Sequence, residues 1–183
     1  LIAMDAETGR CFAMERFNHL DWPIQKERIL GFVRKYRGRL ILDASGVGDP
    51  IFDDLKRVYG DIEAFKFTSV SKTELVQRLI VAVEQRRVSW PCTRASGTVQ
   101  GTPCSDWDIL TAEMRRYEYQ ISPSGGLTYS APAGYHDDCV MALALANHRR
   151  WETESCGRML AVGGGRRGLC WRSSTRLRSG SSR

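Results

Sequence analysis

The 183 residues contain no CxxC pair, and none of the six cysteines (Cys11, Cys92, Cys104, Cys139, Cys156, Cys170) has zinc-like spacing. That argues against a zinc module and leaves reduced thiols as the expected state. No apolar run approaches the roughly 18 residues needed to cross a bilayer, and no secretory leader is visible. A soluble, intracellular chain with no membrane partner is therefore expected. The loop GxxxxGK[ST] is also missing, so no ATP site is expected; ASGVGDP has glycines but no lysine, and Gly46 and Gly48 read as turn formers. No internal repeat is visible.

Net charge is nearly absent from most of the chain. Residues 149–183 hold nine arginines against Glu152 and Glu154, net +7, whereas residues 1–148 carry 18 basic and 19 acidic side chains, net −1. The overall +6 therefore says little about the body, and any nucleic-acid contact there must come from a local patch.

What is present reads as strands alternating with helices. LIAMDAETGRCFAMERF, residues 1–17, has the pattern of a hairpin with Asp5 in its turn, and the apolar opening LIAM reads as mid-strand, as in a piece of something longer. DWPIQKERILGFVRKY predicts a helix with Asp21 as N-cap and Ile24, Ile29, Phe32, Val33 and Tyr36 on one face. RLILD is a short apolar strand ending in Asp43. Asp49 and Pro50 open a helix that Gly60 can close, and IEAFKF is another strand. SKTELVQRLIVAVEQRRV begins with Ser71 and Glu74 at capping-box spacing and presents Leu75, Leu79, Ile80 and Val83 on one side. VSWP predicts a fifth strand, 92–106 a loop, 107–119 a helix, LTYSAP a strand and GYHDDCVMALALANHRRW a final helix. The fold class expected is α/β, a mixed sheet with helices on its faces, over residues 1–150. From 151 to 183 the Gly, Ser and Arg-rich texture predicts a basic, disordered tail, either one that touches phosphates or sequence read out of frame.

The acids carry the chemistry. Asp43 is expected at the end of a buried strand, where a carboxylate needs a partner. Asp137 and Asp138 open a helix whose dipole favours their ionised form, and their plainest role is an N-cap with an acidic neighbour. Three carboxylates brought together would repel unless a divalent cation joined them, and Mg²⁺ or Mn²⁺ takes oxygen ligands of this kind.

ERFNHLDWPIQKERI, LILDASGVGDPIFDDL, FKFTSVSKTELVQRLIVAVEQRRVSWP and YSAPAGYHDDCVMALALA, in this order and at these distances, closely resemble the C-terminal nuclease domain of the large terminase subunit of tailed phages and prophages. The resemblance covers about residues 1–150 without the 92–106 loop. It implies an RNase H-like fold, with the first strand and its acid missing from this fragment, and a metal-dependent endonuclease that cuts concatemeric viral DNA during genome packaging. It implies a two-metal site of Mg²⁺ or Mn²⁺ on Asp43, Asp137 and Asp138, with Asp138 favoured as the more direct ligand of the pair. His136 would orient a carboxylate or a water, or be a plain loop histidine. Lys66, Lys72, Arg78, Arg86 and Arg87 would neutralise DNA phosphates. The implied partners are double-stranded DNA, the terminase ATPase domain of the full-length chain, the portal protein and the small terminase subunit, in the cytoplasm of a bacterial host. A junction resolvase or transposase of the same fold, and a non-catalytic prophage remnant or docking module, are the rival readings.

Overall fold

The computed structural model describes residues 1–45, 48–91, 105–121 and 127–159, with side chains described at all of these except 48–49 and 152–159. Six strands and five helices follow one another as β1 (Ile2–Met4), β2 (Cys11–Met14), α1 (Trp22–Tyr36), β3 (Leu40–Asp43), α2 (Gly48–Lys56), β4 (Ile62–Phe65), α3 (Ser69–Glu84), α4 (Asp106–Arg116), β5 (Glu118–Ile121), β6 (Leu127–Ser130) and α5 (Asp138–Met159). This is the mixed α/β alternation expected from the sequence.

Strand pairing is local among the described residues. β1 and β2 form an antiparallel hairpin, β3 and β4 a parallel pair, and β5 and β6 a second antiparallel hairpin. The hairpin turn is the expected one: Asp5 Oδ1 accepts from Thr8 N at 2.7 Å and from Thr8 Oγ1 at 2.6 Å, an Asx-type turn. β3 explains its uninterrupted apolar run by alternation: Ile41 packs toward one core, and Leu40 and Leu42 toward the other.

The two cores lie on opposite sides of β3 and β4. The larger joins α3 and α5 through Leu75, Leu79, Ala82, Val140, Leu143 and Ala144, with Leu110 of α4 and Cys11 of β2. The smaller joins α1 and α2 through Ile29, Leu30 and Leu55.

Several boundaries differ from the sequence reading. Ile24 is 46% exposed and Leu30 takes the buried place, because α1 turns Ile29, Leu30 and Val33 inward. Asp21 occupies the N-cap position of α1 without a side-chain cap hydrogen bond. α2 ends at Lys56, before Gly60. The capping box of α3 lies one turn earlier than expected, at Thr68 and Ser71, whose side chains and backbone amides satisfy each other reciprocally. Val76 and Ala82 join Leu75 and Leu79 on its buried face, where Ile80 and Val83 were expected.

VSWP contributes one parallel bridge, Ser89 to Arg10, rather than a strand. The helix expected to reach 119 stops at Arg116, and Glu118–Ile121 becomes β5. Residues 92–104 of the expected loop lie outside the described residues, as do Gly46 and the residues after 159.

α5 continues to Met159, beyond the change of texture at Trp151. Its Arg150 is buried and donates from Nε to the Ala6 carbonyl at 3.1 Å and from Nη2 to the Glu7 carbonyl at 3.4 Å. Arg149 pairs with Glu63 at 2.9 Å. The last helix is thus tied to both the hairpin and β4.

Candidate active site

A groove of about 710 Å³ runs between β1 and β3. Its walls are Leu1–Met4 on one side and Gly38–Asp43 on the other; α5 lines it through Met141, Ala142, Leu145 and Ala146, and Phe32 and Tyr36 of α1 face it as well. Asp43, Asp137, Asp138 and Lys72 also line it. The direction of each wall follows from its contacts. β1 leads into Ala6 and Glu7, which Arg150 holds late in α5. β3 runs the other way, since Ile41 pairs with Glu63, the partner of Arg149, whereas Asp43 leads through Ser45, whose Oγ accepts from Phe67 N at 2.8 Å, to the start of α3.

Each acid is placed by a local rule. Asp43 closes β3 and turns its Oδ1 back to accept from Ser45 N at 2.9 Å. It is exposed, contrary to the expectation of a buried strand end, because β3 has a free edge that opens on the groove among the described residues. Asp137 stands at the N-cap position of α5, its carbonyl accepting from Met141 N at 2.9 Å. Its carboxylate is aimed elsewhere: Oδ2 lies 3.1 Å from Lys72 Nζ on α3. Asp138 is the first residue of α5 and is exposed.

The amides that an N-cap aspartate would ordinarily take belong to another helix. Glu113 Oε2, on α4, accepts from Cys139 N at 2.9 Å and from Val140 N at 3.3 Å. Neither Glu113 nor Tyr117 stood out in the sequence, because each sits inside a helical or loop pattern far from the acids. Burial foremost, then the charge of Asp137 and a hydrogen bond to it, raises the Tyr117 phenol above its ordinary range. Burial, reinforced by Glu113, pushes the Cys139 thiol up to about 12, so the unligated thiol stays protonated at neutral pH.

The remaining expected site residues are dispersed. His136 is exposed in the loop before α5 and does not line the groove. Lys66 is exposed beyond β4. Arg78 meets His148 Nδ1 at 3.1 Å and lies 4.0 Å from Glu74. Arg86 follows α3 with a φ of 54°, and the Arg87 guanidinium lies 5.1 Å over the Trp151 ring. Lys72 and Arg86 are 14 residues apart, roughly 20 Å along a helix. Of the five basic residues, Lys72 is the one that lines the groove, where it meets Asp137.

The donor set suits a hard divalent cation in kind: carboxylate oxygens, with the Lys72 ammonium already drawn to one of them. Among the described residues no group of three His, Cys, Asp or Glu side chains is gathered closely enough to hold a metal ion.

No family model matches the chain. Over 150 residues it is 29% identical to the terminase large subunit of Thermus virus P23-45, a match covering 78% of this chain and 27% of that protein. In fold it is similar to the large terminase nuclease from thermophilic phage G20c solved with bound magnesium, with a TM-score of 0.67 and 26% identity, covering 81% of this chain and 72% of that one. The same nuclease with bound cobalt gives 0.65 and 27%, over 80% and 71%. In sequence and in fold the chain is similar to large-terminase nuclease domains. Its fold is accordingly RNase H-like. The chain spans about a quarter of the length of the curated relatives it matches.

Proposed function

We propose that this chain is the nuclease domain of a terminase large subunit, a divalent-metal-dependent DNA endonuclease that cuts viral DNA during genome packaging. The observation that carries the reading is the convergence of Asp43, Asp137 and Asp138 on one groove, with Lys72 on Asp137. Asp43, Asp137 and Asp138 would hold Mg²⁺ or Mn²⁺, and a pair of such ions supplies an activated water and Lewis-acid stabilisation of the leaving oxygen. Lys72 holds the Asp137 carboxylate in place at 3.1 Å and offers a positive charge to a scissile phosphate. His136, exposed in the loop just before Asp137 and outside the groove lining, would have to turn toward the groove to orient a carboxylate or a water, and is otherwise a plain loop histidine. Lys66 beyond β4, Arg78 on α3, and Arg86 and Arg87 after it would contribute to phosphate neutralisation as separate contacts, without reading sequence.

The groove also has room for a further strand. Both walls have free edges among the described residues and run in opposite directions, so one strand can pair antiparallel with β1 and parallel with β3, ending beside Asp43. In a longer chain this strand would join the separate pairs into one mixed sheet and bring another acid to the site. The partners of the longer protein would then be double-stranded DNA, its own ATPase domain, the portal and the small subunit, in the cytoplasm of a bacterial host. The nuclease domain would reach to about residue 150, its last helix running on to Met159 before a basic tail.

Nicking of supercoiled plasmid in Mn²⁺ tests the reading, comparing this chain with one extended upstream by such a strand. Cutting by the extended form, abolished by Asp43→Asn with folding unchanged, is the expected result. If both forms are folded and neither cuts, the docking-module reading takes over. That second reading has one observation in its favour, the lack of a three-ligand cluster among the described residues.

A further inference from the structure

An aspartate at an N-cap normally spends its carboxylate on the amides two and three residues on, which is the common reason for its presence there. Asp137 has the cap's backbone geometry, yet those two amides, Cys139 N and Val140 N, are both taken by Glu113 Oε2 from α4, at 2.9 and 3.3 Å. The Asp137 carboxylate is instead held 3.1 Å from Lys72 in the groove, with the Tyr117 hydroxyl as its other partner. From this geometry we infer that Glu113 is a positioning residue: by capping α5 in trans from α4, it releases Asp137 from the capping role and leaves its carboxylate available to a cation in the groove.

The exchange has a physical logic. A carboxylate tied to two backbone amides has lone pairs committed and is turned along the helix axis; the same group relieved of them is free to face the groove. Glu113 meets the demand of the orphan amides and the helix dipole equally well, because it also carries an ionisable carboxylate at the helix start. The packing of α4 on α5 through Leu110 and Val140 holds Glu113 within reach. Removing Glu113 leaves the amides to the nearest acceptor, and that acceptor is Asp137.

The inference rests on the metal-binding reading above, and its test separates the two. Thermal unfolding by circular dichroism and Mn²⁺ binding by electron paramagnetic resonance are measured on the full chain and on Glu113→Ala, Glu113→Gln, Asp137→Ala and the Glu113→Ala/Asp137→Ala double variant. In the parent, Asp137→Ala is expected to lower Tm only by what its contacts with Lys72 and Tyr117 contribute, because Asp137 is not the cap. In the Glu113→Ala background the same change lowers Tm by about 3 °C more than in the parent, the loss of a cap in a chain of this length. Glu113→Ala weakens Mn²⁺ binding about tenfold, the usual effect of removing a group that orients a ligand. Glu113→Gln, whose amide oxygen still accepts both N–H groups, restores most of the affinity.

Additive Tm changes with Mn²⁺ affinity unchanged by Glu113→Ala overturn the inference and make Glu113 a packing residue only. Non-additive Tm changes in a parent that binds no Mn²⁺ uphold the cap exchange and refute the metal reading.

Discussion

Lys72 and Asp137 lie 65 positions apart and meet at 3.1 Å, and neither residue alone announces the pair. An ammonium beside a carboxylate competes with a metal cation for it. At 3 to 4 Å, two partly screened unit charges interact by about 4 kcal/mol before desolvation and side-chain entropy are counted; the net value of a half-exposed pair is nearer 1 kcal/mol or less. Lys72→Met should therefore raise Mn²⁺ affinity several-fold, as titration calorimetry would register, while weakening DNA binding. Unchanged affinity would place the Lys72 charge too far from the cation to matter. Asp43 also shows how residue-scale reading misses: a carboxylate after LIL reads as buried, but exposure depends on whether the strand has a neighbour on its free side, and that is not a local property.

Elements were legible where a period or a stop signal stood in the sequence. The hairpin turn at Asp5, the continuous apolar run of β3 and the amphipathic face of α3 follow from alternation, apolar content and spacing. Boundaries slipped where two signals competed: Thr68 and Ser71 form the capping box that Ser71 and Glu74 also spell. The junction of the hairpin with α3 was not legible. Gly9 sits at φ +69°, and a Cβ there would run into the Arg87 carbonyl oxygen. Around it, Cys11 N donates to the Ser89 carbonyl at 2.7 Å and Ser89 N to the Gly9 carbonyl at 3.1 Å. Gly9→Ala should destabilise by at least about 2 kcal/mol, from the left-handed backbone and the clash together, read by chemical denaturation. A loss below about 0.5 kcal/mol would mean that the turn relaxes freely.

At the scale of the molecule, the two cores are separated by β3 and β4, and among the described residues a groove lies between β1 and β3. Filling that groove with an apolar strand should gain a few kcal/mol net of chain ordering, since each fully buried aliphatic side chain contributes about 1.5 to 3 kcal/mol and each ordered residue costs about 1.5. An upstream extension of this kind should raise Tm by roughly 5–10 °C relative to the present chain. An unchanged Tm in an extended chain would show that the groove does not seat it.

The sequence by itself determined the alternation of strands and helices, the acid at the end of β3, the acid pair at the start of α5 and the likeness to terminase nucleases, because each is written in local spacing or in a short run of adjacent residues. Only the tertiary structure decided which carboxylate is free. Whether Asp137 caps its own helix or faces the groove depends on Glu113 and Lys72, which arrive from α4 and α3. A side chain's hydrogen-bond partners are set by packing between elements distant in sequence, and no period along the chain encodes that.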